Sequence, residues 1–503
     1  MPNKVTNLHL IKKHIILEKK HFYALFAVLL WVFRIPLTIP SVSADRGVYV
    51  SSAERLIAGD KLYSEIFEAK DPIFIWQIAF GRLFSPIMDI VLENFWIFLA
   101  SYSIYWLSRF FKLSNHISIC LGFIISPVIL TGINYYPGYS HLPGIAVVFL
   151  TIVFLTKKSY FCAGLVSVLL FFLKIMLFPI VFFLILYVQI FHGNKRSLSR
   201  LAFGAITAAL ILFSILGLRG ELYSYLDILS FNRIVSTENM YINWPSPIAH
   251  FLMTRTAYSV FLICAVIVIL FYALLNTAIT KNAKLSIKNF NELDLWFYTS
   301  VSLSLSLSII MLTGMWQHHN QILAIPAILS LMILSQIYES LVTKKSLIII
   351  TVSILLTIGF TGLRLTDVFP SFKNAQVSIS KLSSLSPEAS ALLALGKTGN
   401  YARIGTNDDY GHAYGLREWK LVCRVYQLYP IYPKATEKYL KETLDCLPSA
   451  AVIIVSPEAQ NWLSLDVKTL GYMKEFINQV NIILKNKYDC KIVFGISRCV
   501  VTD

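Results

Sequence analysis

The chain has 503 residues, of which 56% are hydrophobic and only 14% are charged, and its formal net charge is +16. The charged fraction is about half that of an average soluble protein and the apolar residues come in long blocks, so an ordinary soluble domain is excluded. Most Lys and Arg residues lie in short loops between those blocks, where they set membrane topology, so nucleic acid is not a predicted partner.

The first predicted element is a membrane anchor near the N-terminus. Several lysines precede an apolar run that starts at Phe22, and no convincing small-residue cleavage site follows, which argues against a removable signal peptide. With this anchor included, we predict about eleven apolar segments as spans of a hydrocarbon core of ~30 Å. In chain order they are residues 22–37, 90–110, 117–130, 144–155, 160–173, 175–190, 201–218, 257–275, 295–312, 322–337 and 347–361.

The stretch 160–190 has two interpretations, one long helix or two short ones. A single helix would be roughly 45 Å long, too long for the core, and would place the flanking basic loops on opposite faces of the membrane. We therefore predict two helices with Lys174 at the outer tip between them. A cytoplasmic N-terminus then places the basic loops inside, whereas the short outer loops 132–142 and 314–321 contain no Lys or Arg.

An odd number of crossings places everything after about Arg364 outside the cytoplasm. We predict a transmembrane domain over residues 1–364 and a soluble domain over 365–503. In the soluble part the apolar runs shorten to strand length at 451–455 and 491–494, and residues 472–484 have helical spacing. These patterns predict a small α/β domain, and the topology places it on the periplasmic or extracellular side of the membrane.

Four of the seven cysteines lie in this soluble part, at Cys423, Cys446, Cys490 and Cys499. An oxidising compartment permits disulfides there, and we predict at least one, with three connectivities open and buried free thiols as the alternative. A tight turn at 495–497 would set Cys499 opposite Val493, so we do not expect Cys490 and Cys499 to be a cross-strand pair.

The first outer loop, residues 40–89, is too long for a simple connector. It opens with Asp-Arg-Gly at 45–47, and apolar residues then recur with helical spacing from 49 to 57, which predicts an amphipathic helix that Gly59 ends. The apolar face of this helix is expected to lie on the bilayer surface. A second half-apolar segment follows Lys-Asp-Pro at 70–72 and runs towards Phe84.

The segment 45–84 resembles the first periplasmic loop of the GT-C superfamily of membrane glycosyltransferases, which includes protein O-mannosyltransferases and the aminoarabinose transferase of lipid A. In that family the loop begins with an acidic residue, forms two helices along the membrane and carries a Lys-x-Pro element between them. Asp45, the turn at 59–63 and Lys70-Asp71-Pro72 match this order. More loosely, the segment 315–320, Met-Trp-Gln-His-His-Asn, is similar to a His-containing outer loop of such proteins.

The resemblance implies an inverting transfer of a sugar from a polyprenyl-phosphate donor. It assigns Asp45 as the general base on the acceptor hydroxyl, because a carboxylate within hydrogen-bond reach can take the proton as the new bond forms. The departing phosphate needs cations or hydrogen-bond donors at the same interface. The candidates for this role are Arg46, Lys70, Lys174, His318 and His319.

The second outer loop departs from the pattern of some relatives. Its residues 134–141 contain no carboxylate, whereas divalent cations prefer several oxygen ligands. We therefore assign no metal ligand and predict no bound cofactor beyond the lipid-phosphate sugar, with a divalent metal left open. In this loop Tyr139 and His141 are candidates for sugar contacts.

The predicted function is a glycosyltransferase that acts on a cell-envelope glycolipid, polysaccharide or protein at the outer face of the inner membrane. The alternative is a transporter or flippase of lipid-linked sugars, since many spans with intramembrane charges suit both. A polysaccharide polymerase or ligase would carry its large loop late in the chain.

Each candidate site residue also has a structural interpretation. Asp45 is a possible helix cap, Lys174 a topology residue, and the two histidines interfacial hydrogen-bond donors. Arg34 is a snorkelling or phosphate-binding residue, and the Asn/Asp/Gly cluster at 406–412 is a turn or an acceptor site.

Overall fold

The computed structural model describes residues 28, 31, 35–39, 44–133, 135–243, 290–312, 317–341, 379–380, 385–405, 418–428, 433–464 and 473–502. Most of this part of the chain is helical, and a small five-stranded sheet lies near the C-terminus. Before the sheet domain the helices are α1 (Ala44–Ile57), α2 (Pro72–Phe84), α3 (Met88–Phe110), α4 (Asn115–Gly132), α5 (His141–Thr156), α6 (Tyr160–Leu173), α7 (Phe178–Phe191), α8 (Lys195–Leu218), α9 (Leu222–Asn243), α10 (Phe290–Leu312) and α11 (Ala324–Leu341).

Four helical segments are long and apolar enough to cross a membrane: α3, α4, α8 and His318–Gln336, which enters α11. Shorter apolar helices cover α2, α5, α6 and parts of the chain around α7 and α10. The predicted spans 257–275 and 347–361, most of 22–37 and the predicted domain boundary at 364 lie outside the described residues. Arg34 and the cluster at 406–412 lie outside them as well.

The prediction of two helices in the stretch 160–190 is confirmed. Helix α6 ends at Leu173, a short 3-10 turn covers Ile175–Leu177, and α7 follows. Helices α6 and α8 run in the same direction, because Phe161 faces Phe203 near their beginnings and Phe172 faces Phe213 near their ends, with ring centroids 5.7 and 5.2 Å apart. Helix α7 must therefore return between them, which leaves Lys174 at a tip.

The connections group at the two ends of the helix bundle. At one end, Arg46 of the first loop donates to the carbonyl of Gly138, 3.2 Å away. At the other end, Lys157 lies over the ring of Trp106, 4.2 Å from its centroid. The first and second loops thus meet at one end of the bundle, and the loop that carries Lys157 lies against the end of α3.

Helix α1 ends as predicted, with Gly59 following at a φ of +106°. The expectation that it lies on the bilayer surface is wrong, because residues 46–55 are all buried by protein. One side packs on α2, and on the other side Arg55 donates to the main-chain carbonyl of Trp419 in the C-terminal domain. The C-terminal domain thus covers the helix in place of lipid.

Helix α9 was not predicted, because its apolar residues are interleaved with polar ones and form no membrane-length block. It bridges the first loop and the C-terminal domain. Asn232 donates to the carbonyl of Ala69 over 2.7 Å, and the carboxylate of Glu238 accepts from the amide N–H of Lys434 over 2.8 Å. Three separate parts of the sequence are thereby held against one another.

The α/β prediction for the C-terminal part is confirmed. Its elements are α12 (Pro387–Leu393), β1 (Gly399–Ile404), β2 (Trp419–Leu421), α13 (Pro433–Cys446), β3 (Val452–Val455), α14 (Pro457–Ser464), α15 (Lys474–Lys487), β4 (Tyr488–Val493) and β5 (Ile496–Val501). The strand order is β2-β1-β3-β5-β4, with β1 parallel to β2 and β3, and β5 antiparallel to β3 and β4. The predicted strands overlap β3 and β4, and the predicted helix overlaps α15.

The turn between β4 and β5 corrects a disulfide prediction. Phe494 and Gly495 form a two-residue turn with φ of 53° and 77°, so Val493 pairs with Ile496. This register sets Cys490 opposite Cys499, and the two are joined by a disulfide. The expectation against this pair was wrong because it placed the turn too late in the chain.

A second disulfide joins Cys423 to Cys446, so the prediction of at least one disulfide in this domain is confirmed. Cys446 is the last residue of α13, and Cys423 lies two residues after β2. The bridge therefore ties α13 to the segment that follows β2, which is the segment that contacts the first loop. The Cys120 and Cys162 thiols, in the helix bundle, are free.

Candidate functional site

The candidate site lies where the first loop, one end of the helix bundle and the C-terminal domain meet. Asp45 is in the first turn of α1 and is partly exposed. Within the part of the chain that the structure describes, its carboxylate makes no hydrogen bond or ion pair. Its charge nevertheless acts on Glu68 and Lys174, which places these three residues in one electrostatic neighbourhood.

Arg46 differs from the other phosphate-binding candidates because it is held in an ion pair. It is buried and lies 2.8 Å from a carboxylate oxygen of Asp89 at the start of α3. Arg82 lies 3.8 Å from the same oxygen and 3.4 Å from Glu54. Two arginines and two carboxylates thus balance in charge, and Arg46 is engaged in holding the first loop to α3.

The structure brings together the remaining cationic and aromatic candidates. His318 packs on Tyr139, with ring centroids 5.3 Å apart, and Tyr139 packs on Tyr49 at 5.8 Å. The ammonium group of Lys70 lies over the ring of Tyr49, 5.4 Å from its centroid. His141 lies within this same group of rings. Residues from the first, second and late outer loops therefore form one cluster.

Asp71 connects the Lys70 segment to the tip that carries Lys174. Pro72 occupies the first turn of α2, where a proline needs no amide partner, and Asp71 precedes it. The Asp71 carboxylate accepts from the amide N–H of Ile175 over 3.1 Å and from the Tyr225 hydroxyl over 3.2 Å. These bonds bring the backbone of Lys70 and Lys174 to the same place.

Burial shifts the pKa values of Lys174 and Asp71. It lowers the pKa of Lys174 and raises the pKa of Asp71, because each charged form is removed from water. The charge of Lys70 lowers the pKa of Lys174 further, while Asp71 and Asp45 oppose that change. Lys174 can therefore exchange a proton more readily than an exposed lysine.

Glu68 is a site residue that the sequence analysis missed. Its carboxylate, 1% exposed, accepts from the Ser52 hydroxyl over 2.8 Å and from the amide N–H of Lys70 over 3.0 Å. Ser52 is also hydrogen-bonded to the Tyr426 hydroxyl of the C-terminal domain, 2.7 Å away. Burial raises the pKa of Glu68 to about 7. The only sequence signal was its position two residues before Lys70.

Two more acidic residues were missed on α3, Asp89 and Glu93. Glu93 is buried and accepts from the Tyr135 hydroxyl over 2.7 Å. A cavity of about 10 Å³ between α2, α3 and the second loop is lined by both carboxylates together with Arg46 and Tyr139. Their spacing of four residues within an apolar segment was the signal, because ionisable residues in such segments are usually functional.

Three histidines offer ligand atoms for a metal ion. One ring nitrogen from each of His141, His318 and His319 lies within 4.8 Å of the other two. Among the residues that the structure describes, no carboxylate belongs to this set. Its donors are therefore of the type that zinc and similar transition metals accept.

The sequence matches no protein-family model and no curated protein. What the chain does must therefore follow from its own residues and their arrangement.

Proposed function

We propose that this protein is an inverting glycosyltransferase that moves a sugar from a polyprenyl-phosphate donor to a cell-envelope acceptor. The observation that carries the proposal is the meeting of Asp45 with the Lys70 and Lys174 segments at one end of an apolar helix bundle, under a disulfide-bonded domain. A carboxylate beside a buried and a half-buried lysine at a membrane end suits a reaction that deprotonates a hydroxyl and releases a lipid phosphate.

Asp45 is proposed as the general base. Its partly exposed carboxylate has no hydrogen-bond donor among the described residues, so it is available to accept a proton from an acceptor hydroxyl. The hydroxyl oxygen attacks the anomeric carbon as its proton passes to Asp45. The bond from that carbon to the phosphate oxygen breaks on the opposite face, and the electron pair leaves with the phosphate.

Lys70 and Lys174 are proposed to hold the departing phosphate. An ammonium group that is shielded from water interacts more strongly with a phosphate than an exposed one does, because the surrounding dielectric is lower. Lys174 is buried and Lys70 is half-buried against Tyr49. Arg46 is assigned a structural role, since it is paired with Asp89.

The proposed location is a bacterial inner membrane, with about eleven spans, a cytoplasmic N-terminus and the C-terminal domain outside. The two disulfides support an oxidising compartment for that domain. A reporter that fluoresces only in the cytoplasm, fused after Asp503, should stay dark. Bright fluorescence would show that the C-terminus is cytoplasmic and would contradict this topology.

Envelope glycolipids and glycans from wild-type and deletion strains, compared by mass spectrometry, test the function. The deletion strain should accumulate an acceptor that lacks one sugar, and only the wild-type gene, not the Asp45→Asn variant, should restore that sugar. A transporter of lipid-linked sugars is the second candidate, because charged residues such as Arg46 and Asp89 are buried beside apolar helices. Purified wild-type protein that moves the lipid between leaflets of a vesicle, without any transfer of sugar, would establish the transporter instead.

A further inference from the structure

Three histidine rings from distant parts of the sequence converge at the outer end of the bundle. His141 is the first residue of α5, and His318 and His319 lie in the 3-10 helix Gln317–Leu323. The centroid of the His141 ring is 5.2 Å from that of His318 and 5.0 Å from that of His319, and the latter two are 4.4 Å apart. The three side chains therefore surround one small volume.

Two buried side chains at this place, His141 and Asn320, have polar atoms without a hydrogen-bond partner in the described part of the chain. His141 is 1% exposed, and neither of its ring nitrogens has a hydrogen-bond partner there. The neighbouring Asn320 is 0% exposed, and neither its side-chain oxygen nor its side-chain nitrogen has one. Buried polar groups are nearly always bonded, so these orphaned atoms indicate a missing ligand.

The donor set selects the kind of ligand. Three imidazole rings supply three nitrogen donors, and imidazole nitrogens are the commonest metal ligands in proteins. Imidazole suits zinc and similar transition metals, whereas magnesium and calcium prefer oxygen. The charges of Lys70 and Lys174 act on His141 and oppose a bound cation, while Asp71 and Asp45 act on Lys174 itself.

We propose that His141, His318 and His319 bind one zinc-type divalent ion with one coordination position left open. Three protein ligands and one exchangeable position are the usual arrangement of reactive zinc sites. The open position takes a water molecule or an anionic oxygen. If the proposed function is correct, this oxygen belongs to the donor phosphate. The binding of the metal does not depend on the proposed function.

The test measures metal content of the full-length protein, purified in detergent with its affinity tag removed. The protein is stripped with a chelator, dialysed against zinc chloride and then against metal-free buffer, and analysed by mass spectrometry of the metal. Wild type should retain about one zinc ion per chain, as three histidine ligands predict. His141→Ala and His318→Ala should each lose most of it.

His116→Ala is the matched control, because His116 is exposed and lies outside the cluster. It should retain zinc as wild type does. Should His141→Ala fail to fold, His319→Gln provides a milder variant, and cobalt loading of the wild type gives an independent signal through its visible absorption spectrum. Zinc retention that is equal in all variants, or absent from a monodisperse wild type, would overturn the proposal.

This result is separate from the fate of the proposed function. If the wild type contains no zinc, cannot be loaded with zinc and still transfers sugar, the metal site is refuted and the glycosyltransferase proposal stands. Specific zinc binding by a wild type that transfers no sugar would support the metal site and remove the glycosyltransferase.

Discussion

The candidate site and the C-terminal domain differ in how their polar side chains are paired. In the domain, Arg403 donates from Nε to both carboxylate oxygens of Glu388, at 2.9 and 3.0 Å, and from Nη1 to the carbonyl of Tyr426 at 2.9 Å. In the site, Asp45 has no such donor among the described residues, and the His141 ring nitrogens have none either.

The difference separates two uses of polar residues. A buried charge whose bonds are satisfied by the protein holds a fold together, and a polar group left without a partner is available to a ligand or a reacting atom. Substitutions in the domain should therefore change stability, and substitutions in the site should change chemistry.

The largest effect is expected at Asp45. Asp45→Asn keeps the size of the side chain and most of its capping ability but removes the proton acceptor. The rate of sugar transfer should fall by roughly 10²–10⁴, the range for loss of acid–base assistance, while the melting temperature stays near that of wild type.

The rate is measured with purified protein at matched thermal stability. Asp445→Asn makes the same chemical change at an exposed position of α13 and should leave transfer unchanged. Turnover of Asp45→Asn close to that of wild type would end the general-base assignment.

The reverse effect is expected at Glu388, which should influence stability and not chemistry. Glu388→Gln removes the carboxylate that pairs with the buried Arg403, and breaking such a pair costs about 3–5 kcal/mol of unfolding free energy. Thermal unfolding of the full-length chain should show the loss, with Glu437→Gln, on the exposed face of α13, as the neutral control. Unchanged unfolding would mean that the domain tolerates the loss of this ion pair, and it would contradict the contrast between the two regions.

Glu68 lies between the two regions and should link stability to pH. Its folded pKa of about 7 lies above the reference value of 4.5, so the folded protein binds the extra proton. The stability that this proton provides is complete below the reference pKa of 4.5 and is lost as the pH rises through about 7. The total loss is about 3 kcal/mol of unfolding free energy.

Melting temperatures of wild type and Glu68→Gln measured from pH 5 to 8 isolate this contribution. The two proteins should melt alike at low pH, and wild type should fall below the variant as the pH rises. A constant difference at every pH would show that Glu68 stays ionised in the folded state.

The smallest effect is expected from the disulfides. The Cys423–Cys446 bridge spans 23 residues and the Cys490–Cys499 bridge spans 9. In the chain-entropy view the longer loop stabilises more, so the paired Cys→Ser change at 423 and 446 should cost about 3 kcal/mol and that at 490 and 499 somewhat less. Alkylation of the unreduced protein should label none of the four cysteines, and full labelling would contradict both bridges.

Several features followed from the sequence because they depend on neighbours along the chain. The break at Lys174 follows from the length of the apolar stretch, and the end of α1 follows from Gly59. Asp45 and Lys70 were selected by their order in the first loop, and the structure places Lys70 among the clustered residues.

Other features escaped because they depend on packing between distant segments. In the sequence Glu68 does not differ from an ordinary loop glutamate. Only the fold buries it, against Ser52 and the C-terminal domain. Arg46 was a predicted phosphate ligand, but in the structure it forms an ion pair with Asp89. The Cys490 pairing depended on where a two-residue turn falls, and a shift of one residue in a strand register changes every partner.

The sequence by itself determined that the chain is an apolar helix bundle with a small α/β domain, since the lengths and periods of apolar runs reflect the solvent each segment meets. Only the tertiary structure decided which polar groups are satisfied and which are not. His141 meets His318 and His319, and Asp71 meets the tip at Lys174, because the helices that carry them pack side by side. No local pattern records that packing, since it arises from contacts between segments far apart in the chain.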